Sequence, residues 1–349
     1  MAIQRVRPAF VATNLITAED RTPRVVLEAN RDHNTPRRAQ VERVVFVNDV
    51  TAAQALEAVC DREGELDIVT EVSPADAARV EASEHARLVS FDANRLLAGI
   101  FNTRPDHDAP LGDRRVREAL NLAVDRARLV ADGLGGHGTP MAGLTVPWCN
   151  GIFPGAEPRP RDPARAAELL AAAGGWPAGR ALRLATPANL AGLAGMVAAD
   201  VRDALSIEVV VIEVPDEHLI AGARQLVEKK LTPAWDVLLH AWFDLSSDLP
   251  PAVVHREFFG TDGAFRAGPE DPEFDRRFAD LVRQTDAAAA TAGAEDLDRY
   301  CFEECKALFL CAPRALYAVN RHVRWEPYRA TFELADAEVS DQHWSRSGG

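Results

Sequence analysis

Between Gly112 and Pro140 the chain reads GDRRVREALNLAVDRARLVADGLGGHGTP, and within it Val116, Ala119, Leu120, Ala123, Val124, Ala127 and Val130 recur at helical spacing. An apolar stripe with that period needs a second layer to bury it, so the segment predicts an amphipathic helix packed on a core. Asp113 is placed to cap its first turn. Gly133, Gly135, Gly136 and Gly138 end it and allow positive backbone dihedrals, so the chain turns sharply before Pro140.

Such a helix is one element of a larger α/β pattern. Strands are expected near Arg24–Glu28, Arg43–Asn48, Glu65–Glu71, Ala86–Phe91 and Leu96–Asn102, with helices at Thr51–Cys60 and Pro74–Ala82. The connection Thr103–Gly112, rich in Pro, Gly and Asp, marks a crossing between two lobes. Asp162 as cap, Pro163 at the first helical position and Gly174 at the exit define a further helix. Strand Ala181–Thr186, helix Leu190–Leu205 and strand Ile207–Val214 form one β-α-β unit. A helix at His218–Lys229 and a strand at Trp235–Trp242 form the next, and helices follow at Pro272–Asp286 and Glu295–Leu310. The tract DAAAATAGA, Asp286–Ala294, reads as a helix-flanking loop or frayed turn. A last strand begins at Tyr317, and the final residues are expected to return to the first lobe, giving two crossings and a hinge.

Composition narrows the function. The chain has 349 residues, 47% apolar and 26% charged, enough for two domains with sizeable cores. No apolar run approaches the roughly 18 residues a membrane helix needs. A net charge of −14 disfavours nucleic acid, whose phosphates are met by basic patches, and suits a cationic or amine-bearing ligand. Five cysteines without framework spacing fit reduced thiols. The N-terminal stretch MAIQRVRPAFVATNL lacks the unbroken apolar run of a secretory signal, and the expectation is a cytoplasmic protein.

The chemistry concentrates in AWFDLSSDLPP, Ala241–Pro251, which leaves an apolar strand at the end where α/β sheets place ligands. Trp242 and Phe243 supply either a flat wall for a ligand or core packing. Trp148, in the irregular segment after the glycines, is a second lining residue. Asp244 and Asp248 are either counter-charges for a ligand ammonium or caps of the next turn. Cys149, in PWCNG, becomes a nucleophile only if folding brings a histidine such as His137 or His240 beside it. Cys301 and Cys305 read as core residues beside Phe302, Leu308 and Phe309. His240, Asp244, Asp248, His255 and Glu257 gather metal-ligating groups, but their spacing matches no closed zinc or iron pattern, and neither a metal nor a cofactor is expected. No phosphate loop, dinucleotide fingerprint or HExxH is present.

Several of these segments, in order, resemble the peptide and nickel type (family 5) of extracytoplasmic solute-binding protein, the ligand-capturing subunit of certain ABC importers. They are Val25–Asn30 (VVLEAN), Gly64–Pro74 (GELDIVTEVSP), the pair Phe101 and Asn102, Gly112–Pro140, Asp162–Gly174 (DPARAAELLAAAG) and Ala234–Pro250. The resemblance implies an α/β, two-lobed periplasmic-binding-protein-like (type II) fold. It implies a truncated form lacking the accessory domain, since this chain starts almost at the VVLEAN strand. Residues 1–105 plus 317–349 would form the discontinuous first lobe and 106–316 the second. In the family an acid three residues after the tryptophan holds a ligand ammonium; here Asp244 stands one position early, Leu245 takes that place, and Asp248 keeps the spacing of the second acid. Asn102 joins the expected ligand-binding set with Asp248, Asp244, Trp242, Phe243 and Trp148. The implied function is reversible binding of a small organic, amine-bearing peptide-like or metabolite ligand in an interlobe cleft. Two alternatives stand beside it: an enzyme reusing that cleft, and a ligand-sensing or interaction module. Besides the small-molecule ligand, a second copy of the chain is the expected partner, covering surface left by the missing portion in a homodimer.

Overall fold

The computed structural model describes residues 10–12, 24–30, 39–62, 64–228, 234–243, 252–328 and 334–346. The chain divides into two compact units, Met1–Phe91 with Ala315–Gly349, and Asp92–Arg314.

In the first unit, strands Phe10–Ala12, Arg24–Ala29 and Arg43–Val47 pair antiparallel in chain order. A second sheet has Ala315–Asn320 at its centre, antiparallel to both Ile68–Val69 and Ala86–Phe91. Helix Ala52–Cys60 starts at a reciprocal cap: Thr51 Oγ1 accepts from Gln54 N while the Gln54 side chain accepts from Thr51 N. It lays Ala55, Leu56, Val59 and Cys60 on a core shared with Val69, Val80, Leu316 and Ala318. The C-terminal segment belongs to the same unit. His343 Nε2 and Trp344 Nε1 each donate to Asp67 Oδ1 at 2.9 Å, and Asn320 Nδ2 donates to that oxygen at 3.2 Å. Gly64, at φ +90°, brings its Cα against the Trp344 ring; a Cβ there would lie 3.3 Å from Cγ.

The second unit is built on one six-stranded sheet in the order Gly138–Pro140, Ala307–Pro313, Arg95–Phe101, Val237–Phe243, Leu182–Pro187, Val209–Val214. The last three run parallel and the other pairings are antiparallel. Strand Arg95–Phe101, expected in the first lobe, therefore lies in the middle of the second unit's sheet. The two-residue period of a strand sends Leu97 and Phe101 to one face, Leu96, Ala98 and Ile100 to the other. Helices Arg114–Ala123, Pro163–Ala172 and Ala191–Leu205 cover the first face; Ala252–Phe259, Pro272–Val282 and Ala287–Glu303 cover the second.

Two segments differ from the sequence expectation. The tract Asp286–Ala294 is no loop: Asp286 caps helix Ala287–Glu303 by accepting from Ala289 N at 2.9 Å. That helix ends seven residues short of Leu310, because Cys305 turns at φ +47° and the apolar run Ala307–Pro313 becomes a sheet strand buried on both faces. The helix at Gly112–Pro140 is also interrupted. Asp113 caps Arg114–Ala123, Val124 is extended, and Asp125 caps a second short segment by accepting from Arg128 N at 2.9 Å.

The interruption turns Arg126 inward. Its guanidinium donates to Phe309 O, Asn121 O, Arg159 O and Asn121 Oδ1 at 2.7 to 3.0 Å. Arg117, one helix face earlier, donates to Leu111 O, Gly112 O, Glu304 O and Cys305 O. Between them Asn121 Nδ2 donates to Ala307 O, and Asn121 Oδ1 accepts from Phe309 N. The segment is thus sewn to strand Ala307–Pro313 and the turn before it by buried cations and an amide bonded to the backbone. Burial pushes the Arg126 guanidinium down to about 10, which still leaves it charged at neutral pH.

Candidate functional site

Strand Val237–Phe243 carries chemistry at both ends. At its start Asp236, fully buried, accepts from Arg180 Nη1 and Nη2 at 3.0 and 2.7 Å, from Arg183 N and Nη2 at 2.7 and 3.0 Å, and from His107 Nε2 at 2.6 Å. Burial pushes this carboxyl up, but the two guanidiniums, the Arg183 amide and His107 outweigh it and hold it below its usual range. Exposed Asp108 closes the cluster at 2.6 Å from Arg180 and 2.9 Å from Arg183, and the Arg180 bond keeps it well below the carboxylate range.

Asn102, one of the residues expected to bind ligand, stands at this end of the strand. It is fully buried; its Nδ2 donates to Trp235 O and to His107 Nδ1, each at 3.1 Å, and its backbone N–H donates to Asp236 O. Its polar atoms hold the strand entry in place. Among the described residues His107, Asp108 and Asp236 are the group with spacing suited to a metal ion. Arg180 and Arg183 already supply the cations there, so the donors do not suit a metal. A hollow of 370 Å³ beside Arg180, lined also by Trp176, Ser206 and Glu208, opens at the amino ends of strands Leu182–Pro187 and Val209–Val214.

At the carboxyl end of the strand, Trp242 stands in an aromatic group. Its ring lies 4.4 Å from Phe258 in edge contact, 5.5 Å from Phe265 and 4.8 Å from His240. The indole is only partly buried, and its N–H is without an acceptor among the described residues. Cys149 belongs to the hydrophobic core on this face of the sheet, and Trp148, like Trp242, packs against that core. Phe243 pairs through its backbone with Arg95. The Phe243 side chain, Asp244 and Asp248 lie outside the described residues.

Cys149 is buried, and its Sγ donates to Asn94 Oδ1 at 3.4 Å, an amide oxygen that cannot serve as a base. His240 turns Nδ1 to Ala241 O at 2.6 Å, and its ring lies tilted against Trp242. Cys301 and Cys305 are fully buried, and burial pushes both thiols up; it pushes the Cys311 thiol up to about 12. His255 and Glu257, grouped above among metal-ligating residues, point to other partners. Glu257 accepts from Arg256 Nη1 and Ala264 N.

His255 instead belongs to a buried group that the sequence did not single out. It donates from Nε2 to Asp298 Oδ1 at 2.8 Å, and Thr145 Oγ1 donates to the same oxygen at 3.0 Å. Asp298 interrupts the apolar face of helix Ala287–Glu303 that carries Ala290, Ala294, Leu297 and Cys301, a placement legible as an acid on a core stripe.

A family model, bacterial extracellular solute-binding proteins, family 5 (middle), matches residues 16–263. The chain belongs to that family. A curated relative, the glutathione-binding protein GsiB of Salmonella typhimurium, is 43% identical over 65 residues, 19% of this chain and 12% of GsiB. Among solved structures, the substrate-binding protein CtaP of Listeria monocytogenes superposes with a TM-score of 0.80 at 15% identity, covering 95% of this chain and 66% of CtaP. NikA of Brucella suis, in complex with Fe(III)-EDTA, gives 0.78 at 18%, with 95% and 68% covered. DppA of Helicobacter pylori, in complex with the peptide STSA, gives 0.73 at 16%, with 95% and 62% covered. The family-5 chain thus spans about two thirds of the length of these structural neighbours and an eighth of GsiB, and at these identities the neighbours share its fold.

Proposed function

We propose that this family-5 chain reversibly binds a small organic ligand, an amine-bearing peptide-like or metabolite molecule, against the aromatic group at the carboxyl end of strand Val237–Phe243. Trp242 and Trp148 form the wall. Asp248, or failing it Asp244, supplies the counter-charge to the ligand's ammonium. The observation that carries this reading is Trp242 itself. A large indole, its ring partly exposed and its N–H buried without an acceptor among the described residues, stands at the carboxyl end of a strand that enters the sheet parallel to Leu182–Pro187, the end where such sheets hold ligands. Two aspartates follow it within six residues. A desolvated carboxylate meets an ammonium well, and the chain's net charge of −14 attracts such a ligand. The relatives' names point the same way: GsiB is a glutathione-binding protein, and DppA is in complex with a peptide.

Native mass spectrometry of protein purified from its own source tests the reading, with a denatured sample run in parallel. An adduct of a few hundred daltons that carries a primary amine and leaves on denaturation is the expected result. A chain that carries no adduct and gains none from a mixture of di- to tetrapeptides contradicts it.

A further inference from the structure

Three separate elements of the second unit meet at one carboxylate. Asp298, fully buried on helix Ala287–Glu303, accepts from His255 of helix Ala252–Phe259 and from Thr145 of the irregular segment after Pro140. Thr145 and His255 are themselves nearly inaccessible. Gly143 lies against the carboxylate so closely that a Cβ there would sit 2.8 Å from Oδ1 and 3.0 Å from Oδ2. Both donors go to Oδ1, and Oδ2 is buried without a donor among the described residues. A buried carboxylate with one oxygen unsatisfied is a poor source of stability; an apolar side chain of similar volume would serve the core at least as well.

What the carboxylate does achieve is geometric. His255 lies one helical turn before Phe258, the ring that meets Trp242 edge-on at 4.4 Å. Thr145 lies three residues before Trp148, in the segment that also brings Cys149 into the core. One side chain therefore bonds both the helix that carries Phe258 and the segment that carries Trp148.

We propose that Asp298 is the positioning residue of this aromatic wall, setting Trp242 through His255 and Phe258, and Trp148 through Thr145. The role in ligand capture rests on the reading of Trp242 and Trp148 as the wall; the setting of the indoles does not, and is measured without any ligand.

The full chain labelled with 5-fluorotryptophan offers six tryptophans, Trp148, Trp176, Trp235, Trp242, Trp325 and Trp344, assignable one at a time by Trp→Phe substitution. In Asp298→Asn the Trp148 and Trp242 fluorine resonances are expected to shift or split while Trp176, Trp325 and Trp344 stay in place. Thr145→Val should move Trp148 alone, with Thr145→Ser restoring it; these milder variants carry the test if Asp298→Asn does not fold. Asp113→Ala, a cap lost on the opposite face of the sheet, lowers the melting temperature without moving either resonance. Folded variants with Trp148 and Trp242 unmoved, or all six resonances moving together, overturn the proposal. A peptide titration of Asp298→Asn then reads the link to capture: weakened binding with both resonances shifted supports it, and unchanged binding with them shifted removes the wall from the binding site while leaving the positioning role intact.

Discussion

Trp344 donates its indole N–H to Asp67 Oδ1 at 2.9 Å, joining positions 277 residues apart. Because His343 Nε2 and Asn320 Nδ2 reach the same oxygen, one carboxylate ties the C-terminal segment to the loop before strand Ile68–Val69. Asp67→Ala leaves these donors without their acceptor. The expected cost is about 1 to 3 kcal/mol, read as a lower urea midpoint, with earlier tryptic release of the residues after Arg321. An unchanged midpoint would show the segment to be held by its apolar contacts alone.

Arg126→Lys tests the buried-cation seam. A lysine keeps the charge but offers one point donor where the guanidinium reaches Phe309, Asn121 and Arg159 at once. Stability should fall by roughly 3 kcal/mol, the sum of a few orphaned carbonyls less relaxation. A loss under about 1 kcal/mol would mean that water replaces those bonds at no cost.

The cluster at Asp236 predicts an acid limb to the stability curve. Its folded carboxyl titrates below the unfolded value of about 3.9, so the contribution is in place above that pH and is lost as the pH falls through the folded value. Asp236→Asn should cost about 3 to 5 kcal/mol at neutral pH and flatten the decline of stability below pH 4. Denaturant titrations from pH 3 to pH 7 decide it: parallel curves for the two proteins contradict the assignment.

What was legible in the sequence was what local chemistry determines. Asp113 and Asp162 cap helices where their side chains predict, since each satisfies a nearby amide whatever the distant chain does. The run from Ala307 to Pro313 was not legible, because an apolar stretch buried on both faces has no period to separate strand from helix. Nor was the place of Arg95–Phe101, whose neighbours in the sheet come from more than 130 residues away and are chosen by packing. At the site, Cys149 belongs to a core against which Trp242 and Trp148 pack, and Asn102 stands at the strand entry; a sequence shows that a residue is polar but not which end of a strand consumes its hydrogen bonds. Asp298 and His255 were missed as a pair because 43 residues separate them.

Removal of the wall gives a fourth prediction. Trp242→Ala should weaken binding of a short peptide by about 2 kcal/mol, roughly 30-fold, while Phe258 and Phe265 keep the core closed and the melt changes little. Equal affinities would confine Trp242 to core packing.

The amine claim is tested most directly by calorimetric titration with one di- to tetrapeptide in two forms, free and N-acetylated, against the wild-type chain and Asp248→Ala. The free amine should bind the wild-type chain about 2 to 5 kcal/mol more tightly than its acetylated twin, and Asp248→Ala should erase most of that difference without unfolding. Equal affinity for the two peptides in the wild-type chain would contradict it.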